Sequence, residues 1–221
     1  MEYDAAKNAT DSYALAIAEK RRRHVMESWP FGDLKPMHYR AIMVDPPWSF
    51  KSWSDKGKNR VPDAMVRQKG LAERHYKTMS MNDIKNLPVG DLALKDAVLL
   101  LWAVDCMLPE AIEMGRHWGF KFKTVAFTWA KTKLDGGFHM GLGYWTRGNP
   151  EQCLLFTRGF PKRQSASVRQ LIVSRRQGHS VKPDEAATRV ETLLEGPYAE
   201  LFARSPRDGW DCWGDQLGKY S

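Results

Sequence analysis

The sequence predicts an α/β fold: one sheet with helices on both faces. Three observations carry that prediction. Short apolar runs of strand length alternate with amphipathic helical stretches along most of the chain. At 221 residues the chain can bury one well-formed core and is too short for two full domains. Finally, no apolar run approaches the roughly 18 residues that a membrane span needs.

The elements follow in order. Residues 3–28 read as a helix, because Tyr13, Ala14, Ile17 and Ala18 recur at helical spacing. Trp29-Pro30-Phe31-Gly32 then breaks the pattern. The triple arginine at 21–23 suits a helix end, where the dipole favours cations, with phosphate contact as the alternative. Residues 1–38 hold six basic and six acidic side chains and are expected to form a helical extension packed on a main domain spanning 39–221. AIMV (41–44) reads as a strand and VLLLWA (98–103) as a fully buried one. Leu108, Ala111, Ile112, Gly115 and Trp118 share one face of a helix over 108–118. FKFKTVAFTWAK (120–131), CLLFT (153–157) and LIVS (171–174) read as strands. A helix is expected to open after Lys182, with Pro183 at its first turn and Gly196 past its end. YAELFA (198–203) closes the series as a strand. The long stretch 49–77 has no periodicity and reads as a functional loop, a candidate lid.

Charge narrows the partner. The net charge is +8, and it is concentrated. Residues 51–77 hold eight Lys/Arg against three Asp/Glu, and 158–182 hold seven against none, whereas 183–221 hold four against eight. Two basic segments in a chain of pI ≈ 9.4 point to a polyanion, with nucleic acid first among the candidates. Cys106, Cys153 and Cys212 are far apart and lack CxxC spacing, which argues against a disulfide framework and a zinc site. The N-terminus lacks a signal-peptide layout, so an intracellular protein is expected.

The most informative stretch is IMVDPPWSF (42–50). Ligands of open α/β sheets bind beyond the carboxyl ends of the strands, where Asp45 stands. Proline fixes φ and lacks an N–H, so Pro46 and Pro47 stiffen the backbone and leave carbonyls as acceptors. A carboxylate and a carbonyl together suit an exocyclic amino group with two N–H donors. Trp48 offers a stacking face, worth roughly 1–3 kcal/mol per base. The amino nitrogen of adenine is a poor nucleophile, since its lone pair is delocalised into the ring. Two acceptors drawing on its protons would favour a tetrahedral nitrogen aimed at an electrophile such as a sulfonium methyl, with orientation supplying most of the rate.

Asp45-Pro46-Pro47-Trp48 resembles the [D/N/S]-P-P-[Y/F/W] signature of S-adenosylmethionine-dependent amino methyltransferases. Its DPPW form is that of the family named for the seventy-kilodalton subunit of the mRNA adenosine methyltransferase, which has bacterial and phage members. HYKTMSMNDIKNLPV (75–89), GYWTRGNPEQCLLFTRG (143–159), KPDE (182–185), ELFAR (200–204) and GWDCWGDQL (209–217) resemble further segments of that family in the same order. The similarity covers residues 39 to 217. It implies a Rossmann-like methyltransferase fold with a mostly parallel central sheet, in a circularly permuted motif order that puts the base-holding motif before the cofactor strand. Gly141-Leu142-Gly143 is only a fragment of a G-x-G-x-x-G pattern and reads as loop.

By the same resemblance, Asp45 and Pro46 hold the adenine amino group, Pro47 completes the motif, and Trp48 and Tyr76 wall the base pocket. Lys182 pairs the cofactor carboxylate. Glu200 and Arg204 contact the ribose and neighbouring polar groups, Phe202 packs near the cofactor, and Gln216 bonds it at the closing turn. Asp215 stands where many members have asparagine, so it can accept but offers no amide donor. His179 is a candidate pocket residue, though lone histidines are more often structural. No metal is implied.

The leading expectation is therefore an S-adenosylmethionine-dependent adenine-N6 methyltransferase acting on nucleic acid, with DNA favoured over RNA because the chain has no zinc finger or appended RNA-binding module. A duplex target would have to leave the stack. Two alternatives stand beside it: an RNA adenine-N6 methyltransferase, and a catalytically silent nucleic-acid-binding partner subunit. Methylation of a protein glutamine shares the logic of the motif but gives no reason for the basic segments. Members of the family often work in pairs, which admits a homodimer. A cytoplasmic location, in a bacterial or phage-infected cell, is expected.

Overall fold

The structure is a computed structural model that describes residues 29–48, 79–141, 145–176 and 181–217. The expected leader helix, the whole of the basic 49–77 loop with Tyr76, and His179 lie outside the described residues. By packing, the chain divides into Met1–Asp33 and Leu34–Ser221. In the first unit only 29–33 are described, where Trp29 and Phe31 meet edge to face at 5.2 Å.

The second unit carries β1 (Tyr39–Val44), α1 (Met81–Asn86), α2 (Val89–Leu92) and β2 (Ala93–Ala103). After a 3-10 turn at Asp105–Met107 follow α3 (Leu108–His117), β3 (Lys121–Thr132), β4 (Glu151–Arg158) and β5 (Leu171–Arg175). The series closes with α4 (Asp184–Leu193), β6 (Tyr198–Leu201) and β7 (Trp210–Trp213). The strands make one seven-stranded sheet in the order β5-β3-β4-β2-β1-β6-β7. β1–β2, β1–β6, β3–β5 and β6–β7 pair parallel, while β4 runs antiparallel to both β2 and β3. The sheet is thus mostly parallel, with β4 the one reversed strand.

The two faces are covered by helices, as the pattern demands. On one side α4 buries Ala186, Ala187 and Val190 against Met43, Leu100, Trp102, Trp129 and Ile172. On the other, α3 buries Ala111, Met114 and Gly115 at helical spacing. A Cβ on Gly115 would lie 2.3 Å from the Phe156 ring, so only glycine lets the helix approach the sheet there. Leu99 faces Phe156 across the β2–β4 ladder. Leu99, Leu100 and Leu101 are fully buried because β2 is covered on both sides, each side chain contributing on the order of 2 kcal/mol.

Local chemistry sets the helix ends. Ser80 Oγ accepts the Asp83 N–H at 3.1 Å and caps α1. Pro183 stands at the N-cap of α4, followed by Asp184 and Glu185 in the first turn, where the dipole favours acids. Two expectations need correction at the C-terminal end. The strand read over 198–203 stops at Leu201, because Phe202 takes φ 62°, a left-handed conformation no strand accommodates. The GWDCWGDQL segment supplies a seventh strand, Trp210–Trp213, that periodicity did not reveal. Among the described residues no helix is long and apolar enough to cross a membrane.

Candidate functional site

Every strand except β4 ends at the same edge of the sheet, and β4 begins there. The chain leaves β1 at this carboxyl edge with β2 on one side and β6 on the other, a topological switch point. The Asp45 N–H donates to the Leu201 carbonyl at 3.3 Å, which clasps the motif to the end of β6. The Trp48 N–H donates to the Pro46 carbonyl at 2.8 Å, closing a three-residue turn. Indole Nε1–H of Trp48 donates to the Trp102 carbonyl at 2.9 Å, and its ring is only 4% exposed. The Met79 N–H reaches the Pro47 carbonyl at 3.4 Å. Both proline carbonyls therefore already accept one bond each, and each keeps a second lone pair.

Around Asp45 lies a chain of alternating charge. Lys182 Nζ stands 2.7 Å from Asp45 Oδ1 and 3.2 Å from Glu151 Oε2, and Lys131 Nζ is 2.5 Å from Glu151 Oε1. These four side chains are only 13–16% exposed. Lys182 also sits over the Trp102 ring, 5.5 Å from its centroid. Burial favours the neutral forms, and the neighbours decide the outcome for each group. Burial opposes the charge on Lys182, yet two carboxylates hold its pKa above the usual lysine value. Burial likewise acts to raise Glu151, but Lys182 and Lys131 together hold it down to about 2. Asp45 shares one lysine with a second carboxylate, so burial prevails and its pKa is raised. Asp45 is thus the carboxyl of the cluster that takes up a proton most readily.

β6 brings a second group beside the first. Glu200 is the register partner of Met43, one strand from the motif, and burial raises its pKa despite Arg207. Arg207 Nε lies 3.3 Å from Glu200 Oε2, and its Nη1 lies 3.1 Å from Asp184 Oδ1 at the start of α4. Phe202 packs edge to face on Trp213 at 5.2 Å. A Cβ on Gly214 would lie 2.3 Å from the Ala203 carbonyl oxygen, so glycine is required for the closing turn to lie against residues 202–203. Gln216 Oε1 is buried with no hydrogen-bond partner among the described residues. Trp102 Nε1 is in the same position.

Of the residues singled out in the sequence, Asp45, Pro46, Pro47, Trp48, Lys182, Glu200, Phe202 and Arg204 thus gather where β1, β2 and β6 end, with the turn bearing Gln216 against them. The charge of Arg204 acts on Asp45 and lowers its pKa against the larger effect of burial. Asp215 is exposed. Lys182 spends its charge on Asp45 and Glu151. Glu151, Lys131 and Arg207 were not anticipated. Glu151 lies inside the quoted GYWTRGNPEQCLLFTRG segment, where an acid opening an apolar strand at the carboxyl edge was the available signal. The buried, unpaired Gln216 oxygen and the close turn at Gly214 are features into which a polar adenosyl group with N–H or O–H donors fits.

Comparison with known proteins bears on the same span. A family model described as MT-A70 matches residues 39–216. The chain is 30% identical over 216 residues to the type II methyltransferase M.MunI of Mycoplasma sp, covering 92% of this chain and 90% of that protein. It is 28% identical over 188 residues to an N(6)-adenosine-methyltransferase MT-A70-like protein of Arabidopsis thaliana, covering 81% of this chain but 24% of that one. With the N(6)-adenine-specific methyltransferase METTL4 of Mus musculus it shares 28% over 200 residues, 82% of this chain and 38% of the other. The chain thus spans M.MunI nearly end to end and only a part of the plant and mouse proteins.

Proposed function

Because the chain belongs to the MT-A70 family, we propose that it transfers a methyl group from S-adenosylmethionine to the exocyclic N6 of adenine in nucleic acid, DNA before RNA. The observation that carries the reading is the largely buried Asp45, 16% exposed, fixed at the carboxyl edge by Lys182 and clasped to the end of β6. The preference for DNA rests on the similarity to M.MunI, a type II methyltransferase, at 30% identity over 216 residues.

The chain's own groups divide the work. Lys182 occupies Asp45 Oδ1, which leaves Oδ2 to accept one N6–H, and the Pro46 carbonyl has a lone pair for the other. Those two bonds pull the amino nitrogen toward a tetrahedral shape and free its lone pair. S-adenosylmethionine, when bound, supplies the electrophilic methyl on a positively charged sulfur. The amino nitrogen would take that methyl, the carbon–sulfur electrons staying with sulfur, and would then shed a proton. Asp45, with its raised pKa, is suited to receive that proton. Trp48, fixed through its N–H to the Trp102 carbonyl and 4% exposed, sets the position of the motif from within the core and does not offer the open stacking face expected from the sequence. Tyr76 would supply a wall of the base pocket. Glu200, with Arg207 behind it, would hold the ribose hydroxyls, Phe202, Arg204 and Asp215 would flank the cofactor, and Gln216 Oε1 would accept a hydrogen bond from it.

The test is direct. The protein is incubated with labelled S-adenosylmethionine and matched single-stranded DNA, duplex DNA and RNA, and the methylated nucleoside is identified after digestion. N6-methyladenine in DNA supports the reading, its appearance in RNA alone moves the substrate, and none in any polymer refutes it.

A further inference from the structure

The segment joining β3 to β4 takes no part in the chemistry above. Its two ends are fastened to the site. Trp129 faces Glu151 across the ladder, and the Lys131–Glu151 pair joins through Lys182 to Asp45. The His139 N–H donates to the Lys131 carbonyl at 2.8 Å, and Lys133 N–H to Gly137 O at 2.8 Å, which folds a tight turn. Asn149 binds both the N–H and the carbonyl of Lys131, at 3.0 and 2.9 Å, and reaches the His139 carbonyl as well. Gly141 N–H meets Gly148 O at 2.7 Å, and a Cβ on Gly141 would come within 2.9 Å of that oxygen. Among the described residues, 131–141 and 148–149 are therefore braced as an arm at the carboxyl edge.

Its side chains are arranged in the opposite sense from a core. Leu134 is 80% exposed, Phe138 and Met140 are each 64% exposed, and Trp145 is 93% exposed. Four large apolar groups on one braced arm mark an interaction surface. The charges nearby are mainly cationic. Lys133 and Arg147 lie on the arm, and burial together with Arg176, Lys131 and Lys133 lowers the pKa of His139. Asp135, the arm's one acid among the described residues, accepts from Gly137 N–H at 2.9 Å and stands 4.0 Å from Lys133 Nζ, an exposed pair that leaves Lys133 able to turn to phosphate. Aromatic faces interleaved with cations suit bases and phosphates together, where a purely apolar partner would leave the cations unmatched. The other basic stretch divides by register: Arg158 faces Ala97 at the far edge of the sheet, while Arg175 faces Thr132 at this one.

We propose that this arm is a nucleic-acid contact, with Trp145 and Phe138 stacking on or between bases beside the target adenine and Lys133, Arg147 and Arg176 neutralising phosphates. The proposal rests on the adenine-methyltransferase reading and adds the element that holds the strand. Fluorescence anisotropy with labelled duplex and single-stranded DNA, in the presence of S-adenosylhomocysteine, tests it. Trp145→Ala is expected to weaken DNA binding roughly tenfold and Trp145→Phe much less. Combining Lys133→Ala with Arg147→Ala should lower the slope of log affinity against log salt by about two. Affinity for S-adenosylhomocysteine, read by calorimetry, should not change in any of them. Trp145→Ala and Phe138→Ala binding DNA like the parent overturns the arm, even if the parent methylates adenine. Unchanged DNA affinity with a dimer converted to monomer in light scattering also overturns it, giving the surface to a second copy. A parent that makes no N6-methyladenine refutes the enzyme reading alone, and the binding measurements still decide the arm.

Discussion

Lys182 and Asp45 lie 137 positions apart in the chain and 2.7 Å apart in the fold. The contact needs β1 and the entry to α4 at one edge of the sheet, and it places a protonated amine between two carboxylates, Asp45 and Glu151. Lys182→Met would leave Asp45 buried without a cation at hydrogen-bond distance. Breaking a buried pair from one side costs about 3–5 kcal/mol, so chemical denaturation should show a loss of that order. Lys182→Arg should recover part of it.

Asp45→Asn keeps the shape of the motif and removes the proton acceptor. Methylation should fall by about 10²–10⁴-fold, while calorimetric affinity for S-adenosylhomocysteine changes far less. In the parent enzyme, the acid limb of the kcat/KM profile should lie above the ordinary aspartate value of 3.8, because burial raises Asp45. A limb at or below that value would remove Asp45 from the proton-transfer step.

Glu151 behaves in the opposite sense. Its carboxyl is held at about 2 in the folded chain against an ordinary 4.5, so the unfolded chain binds the proton first as pH falls. Stability from this group is complete above about 4.5 and disappears as pH drops through about 2, a change on the order of 3 kcal/mol. Glu151→Gln should be less stable than the parent at neutral pH and flatter across that acid window, as measured by unfolding at a series of pH values.

The unpaired Gln216 oxygen gives a prediction with two signs. Gln216→Leu should leave the ligand-free protein as stable or more stable, since a buried acceptor without a partner is removed. The same change should weaken S-adenosylhomocysteine binding by roughly tenfold, the loss of about one hydrogen bond. Thermal unfolding with and without ligand reads both. A fall in ligand-free stability would mean that Gln216 supports the fold instead.

The sequence by itself determined the sheet, the alternation that covers it and the motif at the end of β1, since each is written locally. AIMV, VLLLWA and CLLFT are apolar runs with turn chemistry at their ends, and such runs have one stable use, the middle of a covered sheet. Asp45 could be picked out on the same local grounds, and Lys182 by the resemblance of KPDE to the family's segment. Only the tertiary structure decided which charges meet. Glu151 opens a strand that reverses direction, and that reversal alone brings it to the edge where β1 and β2 end. The stop of β6 at Leu201 goes with the left-handed Phe202 and with the turn from Gly214 lying against Phe202 and Ala203, a contact with no periodic signal. Arg207 likewise reaches Glu200 and Asp184 because β6 and the start of α4 approach each other in space. Pairings of this kind are set by strand order and register, which arise from the whole sheet's burial and not from any residue's neighbours in sequence.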